Sequence, residues 1–77
     1  MYKVFEYDLL KQRVLSTAEE FNDIVDARQA AIEKAGQWCE DEEPKLIREF
    51  DGMYEIYGGE SDFGAVVLRN HRIGRGI

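Results

Sequence analysis

Cysteine, proline, histidine and tryptophan are nearly missing from this 77-residue chain, which has one of each. A lone Cys39 cannot form an intrachain disulfide, so we expect a reducing compartment, most simply the cytoplasm. No apolar run reaches the roughly 18–20 residues of a membrane helix, and the first residues do not form a signal-peptide stretch. The length suits one small domain, and an apolar content of 44% is enough for a modest core.

Motifs for catalysis and metal binding are also missing. The sequence has no Gly-x-Ser-x-Gly, phosphate-binding loop, His-Glu-x-x-His or paired-Cys motif. Cys39 and His71 could act as nucleophile and base, but Cys39 falls on an apolar stripe, where a Cys usually packs as a small hydrophobe. The acidic segments 40–43 and 60–62 lack the EF-hand spacing, and one His with one Cys is too few for zinc. We therefore expect no enzyme, no cofactor and no metal site.

The charge is one-sided, with 16 acidic residues against 10 Lys and Arg. Residues 1–68 hold all of the acids and carry a formal charge of −9, whereas residues 69–77 carry +3. An acidic body repels nucleic-acid phosphates over roughly 8–10 Å at physiological salt, so we expect nucleic-acid contact only through the tail. Solubility is the alternative use for so many acids. The tail residues available for a nucleic acid or a partner are Arg69, Arg72 and Arg75.

Hydrophobic periodicity predicts one helix and several strands. Residues 2–9 alternate as a first strand, and residues 13–16 favour a short second strand. Apolar residues within 21–39 recur at spacings of three, four and seven, as along one face of a helix. Ser16 and Asp23 are both candidate N-caps, each followed three residues later by an acid. The β-favouring run before residue 17 favours the start at Asp23.

Asp51-Gly52 lies between two strand-like segments and predicts a hairpin with a two-residue loop. This register includes an opposite-charge pair and an aliphatic pair, each worth roughly 0.2–1 kcal/mol. The expected cross-strand pairs are Phe50 with Met53, Glu49 with Tyr54, Arg48 with Glu55, and Ile47 with Ile56.

These elements predict an α+β domain over residues 1–69, followed by a basic, flexible C-terminal tail at 70–77. The helix ends near Gly36 or before Pro44, and residues 63–69 form the last strand. The order is ββαβββ, or βαβββ without the short second strand. It fits an antiparallel sheet of four to five strands with one helix packed on one face.

The aromatic residues point to a contact surface, because nine of them exceed what so small a core hides. Tyr54 and Tyr57 lie on opposite faces of one strand, so at least one of them faces away from the helix. Tyr is favoured at interfaces because it combines contact area with a polar tip. Scattered surface aromatics without a role are the alternative. The predicted protein-binding residues are Glu40, Asp41, Glu42, Glu43, Tyr54, Tyr57, Glu60 and Asp62.

The layout resembles small acidic proteins that bacteriophages and other mobile elements make to block host machinery, anti-CRISPR proteins among them. The resemblance is carried by the start Met1-Tyr-Lys-Val-Phe-Glu-Tyr, the helical segment Asp26-Ala-Arg-Gln-Ala-Ala, the carboxylate-rich body and the lack of a catalytic motif. Such proteins commonly occupy a surface of a larger protein, often one meant for nucleic acid. The resemblance implies an inhibitor that acts in the cytoplasm of the host cell.

The sequence therefore predicts a non-enzymatic, acidic protein-binding module whose partner is a larger protein with a basic or nucleic-acid-binding surface. Carboxylates would steer the encounter, and a buried Tyr would supply affinity. A nucleic-acid accessory protein acting through the C-terminal tail is one alternative. The other is a structural protein that forms a homodimer through the uncovered face of its sheet. We expect no membrane partner.

Overall fold

The computed structural model describes residues 1–39 and 42–69, and within them one helix packs on one face of an antiparallel sheet. This confirms the predicted α+β class, with six strands instead of four to five. The helix α1 spans Ile24–Gly36. The strands are β1 (Tyr2–Asp8), β2 (Arg13–Val14), β3 (Glu19–Phe21), β4 (Lys45–Phe50), β5 (Tyr54–Gly58) and β6 (Phe63–Arg69).

The sheet order is β2-β1-β6-β5-β4, and β3 also pairs with β1. The strands β1 and β6 lie side by side in the middle, so that Tyr2 is opposite Arg69 and Asp8 is opposite Phe63. One edge is formed by the short β2 and β3, and the other edge is the six-residue β4. Among the described residues, no helix is long and apolar enough to cross a membrane.

The helix begins at Asp23, as the β-favouring sequence before it predicted. The Asp23 side chain accepts a hydrogen bond from the Val25 amide at 2.9 Å. The other candidate cap, Ser16, is used elsewhere, because its hydroxyl accepts a hydrogen bond from the Glu6 amide at 3.0 Å. The predicted helical stripe was wrong at its first residue. Phe21 lies in β3 opposite Tyr2 and packs against the edge of the core.

A row of alanines forms the buried face of α1. Ala27, Ala31 and Ala35 are fully buried, and they pack with Val4, Tyr57, Ala65 and Val67 in the core. The predicted stripe placed Val25 on this face, but Val25 is 64% exposed. Ala31 and Ala35 belonged to the predicted stripe, but Ala27 did not, because alanine is a weak marker of hydrophobic periodicity. Small side chains at every fourth position let the helix lie close to the sheet.

The helix ends at Gly36, before the last two residues of the predicted stripe. The Trp38 ring instead packs on Phe63 beyond the helix, with 5.4 Å between ring centroids. Cys39 is partly buried beside Gly59, where a Cβ atom would lie 2.9 Å from the Cys39 sulfur. Cys39 therefore lies in a loop contact, and neither on the helix nor in the core cluster, where the stripe had placed it.

The β4–β5 hairpin has a three-residue loop, so the predicted register was wrong. Phe50 pairs with Tyr54, and Gly52 has a φ of 80° as the third residue of a turn closed by the Met53 amide and the Phe50 carbonyl. The Met53 carbonyl accepts a hydrogen bond from the Arg69 amide of β6, which holds Met53 in the loop. A register shift between Leu46 and Arg48 takes up the extra residue. The pairs formed instead include Glu49 with Glu55 and Arg48 with Ile56.

Candidate protein-binding face

The two faces of the sheet differ in what covers them. The helix packs against β1, β3, β5 and β6 on one side. No described element covers the other side, which we call the open face. Side chains alternate along a strand, and residues paired across two strands share a face. On this basis the strand residues with side chains on the open face are Lys3, Phe5, Tyr7, Val14, Glu20, Lys45, Arg48, Phe50, Tyr54, Ile56, Val66 and Leu68.

A concavity of about 450 Å³ lies on the open face. Aromatic and aliphatic side chains form most of its wall, and Arg48 is the one charged residue in it. Its volume falls within the roughly 300–1,000 Å³ of typical binding pockets. The residues that line it are Phe5, Tyr7, Leu9, Gln12, Arg48, Tyr54, Ile56, Val66 and Leu68.

Glycine allows close contacts at one end of this face. A Cβ atom at Gly58 would lie 3.4 Å from the Ile47 Cδ1 atom and 3.5 Å from the Leu9 Cδ1 atom. A Cβ atom at Gly64 would overlap the carbonyl oxygen of Tyr57. The missing side chains therefore bring β5 and β6 together and let Leu9 lean over the sheet.

The open face is cationic although the chain carries a net charge of −6. Lys3 lies opposite Leu68, Lys45 opposite Gly58 and Arg48 opposite Ile56, which places three cations on this face. Glu20 is the one strand carboxylate on this face, and it lies opposite Lys3 in the β1–β3 register. The other described strand carboxylates point to the helix side: Glu6, Asp8, Glu19, Glu49 and Glu55.

A buried ionic cluster occupies the helix side of β5. The Glu55 side chain is 2% exposed and accepts two hydrogen bonds from Arg28, at 2.9 Å from Nε to Oε1 and 2.7 Å from Nη2 to Oε2. Arg69 donates to Oε2 at 2.9 Å, and the Tyr57 hydroxyl donates to Oε1 at 2.8 Å. Both carboxylate oxygens are thus filled by donors from α1, β5 and β6.

The contacts within the cluster shift the pKa values of Glu55, Tyr57 and Arg28. Hydrogen bonds from Arg28, assisted by Tyr57 and Arg69, outweigh burial and lower the pKa of Glu55 to about 2. Burial and the hydrogen bond to Glu55 raise the pKa of Tyr57 to about 12. The hydrogen bond to Glu55 also raises the pKa of Arg28. At neutral pH Glu55 is therefore an ionised anchor whose oxygens are already occupied, which suits structure better than acid–base chemistry.

The predicted tyrosines do separate onto the two faces. Tyr54 lies on the open face, and its ring stacks on Phe50 with 5.7 Å between centroids. Tyr57 is 7% exposed beneath the helix, so it cannot contribute to a contact surface. The prediction of Tyr57 as a binding residue was therefore wrong, because its ring is buried in the core and its hydroxyl donates a hydrogen bond to Glu55.

The predicted basic residues fall into two groups. Arg69 belongs to β6 and is bound to Glu55, so it does not act as a tail cation. Arg72 and Arg75 lie outside the described residues, as does the predicted flexible tail. His71, the candidate base, lies there too.

The described acids of the predicted set, Glu42, Glu43, Glu60 and Asp62, lie at the far end of the hairpin from Tyr54. Glu60 and Asp62 are exposed in the turn after β5, and a Cβ atom at Gly59 would lie 3.5 Å from the Glu42 Cδ atom. Tyr54 begins β5, roughly 15 Å away at about 3.3 Å per residue. Glu43 is exposed, and Glu40 and Asp41 lie outside the described residues. Within residues 1–39 and 42–69, no group of three His, Cys, Asp or Glu residues could hold a metal ion.

Arg48 is the site residue that the sequence reasoning missed. The two-residue loop assigned it to an ion pair with Glu55, and the true register moves it to the open face. The alternation of Phe5 and Tyr7 along β1, continued by Leu9 just after the strand, was a usable signal, because it gave one face of that strand to large aromatic and aliphatic residues.

Comparison with known proteins finds no matching protein-family model, no similar curated protein and no similar solved structure. The resemblance to phage inhibitor proteins therefore stays a prediction.

Proposed function

We propose that this chain is a non-enzymatic protein-binding module that docks a larger protein on its open face. The concavity of about 450 Å³ is the observation that carries this proposal. It exposes aromatic and aliphatic side chains on a face that no described element covers. Contact surfaces of this composition are typical of protein interfaces, where aromatic anchors in pockets supply most of the affinity.

The chemistry of the concavity supports binding over catalysis. Apart from the hydroxyls of Tyr7 and Tyr54, its polar groups are Arg48 and Gln12. None of these is a nucleophile held against a base, which acyl or phosphoryl transfer would need. The titratable groups with clearly shifted pKa values lie on the helix side of the sheet, away from the concavity.

An affinity capture with variants on both faces tests this proposal. The tagged full chain is compared with the double variant Tyr54→Ser and Leu68→Ser, and with Val25→Ser as a matched control on the exposed side of α1. We expect the wild type and the control to recover the same nuclease-resistant protein from a bacterial lysate. The open-face variant should lose it while keeping its circular dichroism spectrum. Equal recovery by the open-face variant would refute docking on this face.

A second candidate function is an inhibitor that uses its acidic end to occupy a basic, nucleic-acid-binding surface. The proximity of Glu42 to the turn that holds Glu60 and Asp62 favours it, because clustered exposed charges speed encounter with a basic partner. Reversal of these three charges to Lys should slow association with the captured protein and weaken its salt dependence. An unchanged association rate would leave the open face as the only candidate.

A further inference from the structure

We infer that the segment docked on the open face is acidic: a short stretch of the partner polypeptide that sets a carboxylate against Arg48 and apolar side chains in the concavity. This inference rests on the proposed function and adds the chemistry of the partner. It reverses the polarity predicted from composition, which paired an acidic surface of this chain with a basic partner.

The first observation is the state of Arg48. Of the other three described arginines, Arg28 and Arg69 are both bound to Glu55, and Arg13 lies opposite Asp8 on the helix side. Arg48 has no ion pair with any described residue, and it lines the concavity beside Ile56 and Tyr54. A guanidinium at the border of an apolar surface binds a carboxylate through two parallel hydrogen bonds, and its stem adds apolar contact.

The second observation is the distribution of charge between the two faces. Lys3, Lys45 and Arg48 share the open face with one strand carboxylate, Glu20. A second copy of the chain docked face to face would bring together two faces of the same net charge, which disfavours a homodimer through this face. An acidic segment meets them with opposite charge.

The composition of the concavity favours a polypeptide over a nucleic acid. Leu9, Ile56, Val66 and Leu68 give it aliphatic walls that suit apolar side chains. Single-stranded nucleic acids need open aromatic platforms and a basic groove along the backbone. Here Tyr54 is stacked on Phe50, and the chain as a whole is acidic.

A selection from a displayed library of random 12-residue peptides tests the inference on the full chain. The variant is Arg48→Glu, with Arg48→Gln as a milder second variant. Arg13→Glu is the matched control, since Arg13 is an exposed strand arginine that lies opposite Asp8 on the helix side. Circular dichroism establishes that each variant is folded.

We expect the wild type and Arg13→Glu to enrich peptides with Asp or Glu flanked by aromatic or aliphatic residues. In fluorescence anisotropy these peptides should bind Arg48→Glu at least about tenfold more weakly, and Arg48→Gln should lie between. Replacement of the peptide carboxylate by its amide should weaken binding to the wild type by a similar factor. Arg48→Glu should itself select peptides rich in Lys and Arg.

Three results would overturn the inference: no enrichment, enriched peptides without a carboxylate preference, or equal binding by Arg48→Glu. Tighter binding of a fluorescent dodecamer of thymidine than of any selected peptide would assign the face to nucleic acid instead. The proposed function fails separately, if the selected peptides bind the double variant Tyr54→Ser and Leu68→Ser as tightly as the wild type. If capture of a protein depends on those two residues but the peptides show no charge preference, only the acidic assignment is wrong.

Discussion

Arg28 of α1 and Glu55 of β5 form a two-point ion pair, with both donor–acceptor distances at or below 2.9 Å. The carboxylate is buried, whereas the arginine side chain is 41% exposed. Water therefore helps to stabilise the charge of Arg28, whereas the charge of Glu55 is stabilised by protein groups alone. Among the cluster residues, Glu55 depends most on its neighbours, because its charge is shielded from water and is compensated only by Arg28 and Arg69.

Replacement of Glu55 by Gln should destabilise the fold by about 2–3 kcal/mol, since it leaves Arg28 and Arg69 beside a neutral side chain. Glu49→Gln is the matched control, because Glu49 is the exposed residue opposite Glu55 on β4. It should change stability by less than about 0.5 kcal/mol. Urea unfolding followed by circular dichroism measures both. Equal losses in the two variants would contradict a stabilising contribution specific to Glu55.

Acid should remove the contribution of Glu55. Its pKa falls from 4.5 to about 2 on folding, so the unfolded chain takes up the proton first as the pH drops. The stabilisation is complete above pH 4.5 and is lost as the pH approaches about 2. The difference in unfolding free energy between the wild type and Glu55→Gln should therefore shrink across this range. A constant difference would contradict a lowered pKa in the folded state.

The Tyr57 hydroxyl should matter most in alkali. Tyr57→Phe removes its hydrogen bond to Glu55 and should cost about 1 kcal/mol at neutral pH. Because folding raises the pKa of Tyr57 from 10.0 to about 12, its contribution is complete below pH 10 and declines as the pH rises to about 12. The variant should lack this decline. Tyr54→Phe, on the open face, is the control and should behave like the wild type in a pH series of unfolding curves.

Gly64→Ala should destabilise the sheet by at least about 2 kcal/mol, because the added Cβ atom would overlap the backbone oxygen of Tyr57. Backbone atoms cannot yield without separating β5 from β6. Gly58→Ala is the matched control. Its Cβ atom would meet the flexible ends of Ile47 and Leu9 at 3.4 and 3.5 Å, so its cost should stay below about 1 kcal/mol. Thermal unfolding ranks the two, and an equal shift in Tm would contradict the close approach at Gly64.

Asp23→Ala should cost about 1 kcal/mol, since it leaves the Val25 amide at the helix start without its acceptor. Asn22→Ala, one residue earlier, is the control and should have little effect on Tm. In a domain of this size about 1 kcal/mol corresponds to a Tm shift of about 4–8 °C. Equal shifts for the two variants would place the cap elsewhere.

Local patterns predicted most of the elements. Alternation gave β1, the strand-like run at residues 63–69 gave β6, and the Asp23 cap gave the helix start, because these features depend on neighbouring residues. Residues 14–21 were predicted only as an extension of the second strand, and the separate strand β3 was not, since its pairing with β1 is a tertiary contact that three residues cannot signal. The hairpin register was also missed. The three-residue loop is accompanied by a hydrogen bond from the Arg69 amide to the Met53 carbonyl, and these two residues are distant in the chain.

The candidate site depends on the same long-range information. Which face the helix covers decides that Tyr54 is available and Tyr57 is not. The sequence placed them on opposite faces but could not choose between them. The register shift in β4 then moved Arg48 from an expected ion pair into the wall of the concavity. Composition gave the excess of acidic residues, but only the strand pairing shows that most of the strand carboxylates lie on the helix side.

The pairing of β1 with β6 has a consequence for the order of folding. These strands form the centre of the sheet, and Tyr2 of the first lies opposite Arg69 of the last described strand. Contacts between residues so far apart in the chain slow folding, because the entropy cost of closing the long loop comes before the contacts stabilise the structure. The β4–β5 hairpin and α1 are the local units and can form early. Strand β1 can pair early with β2 and β3, but its pairing with β6 requires the last described strand, so the two halves of the open face join only once β6 has been synthesised.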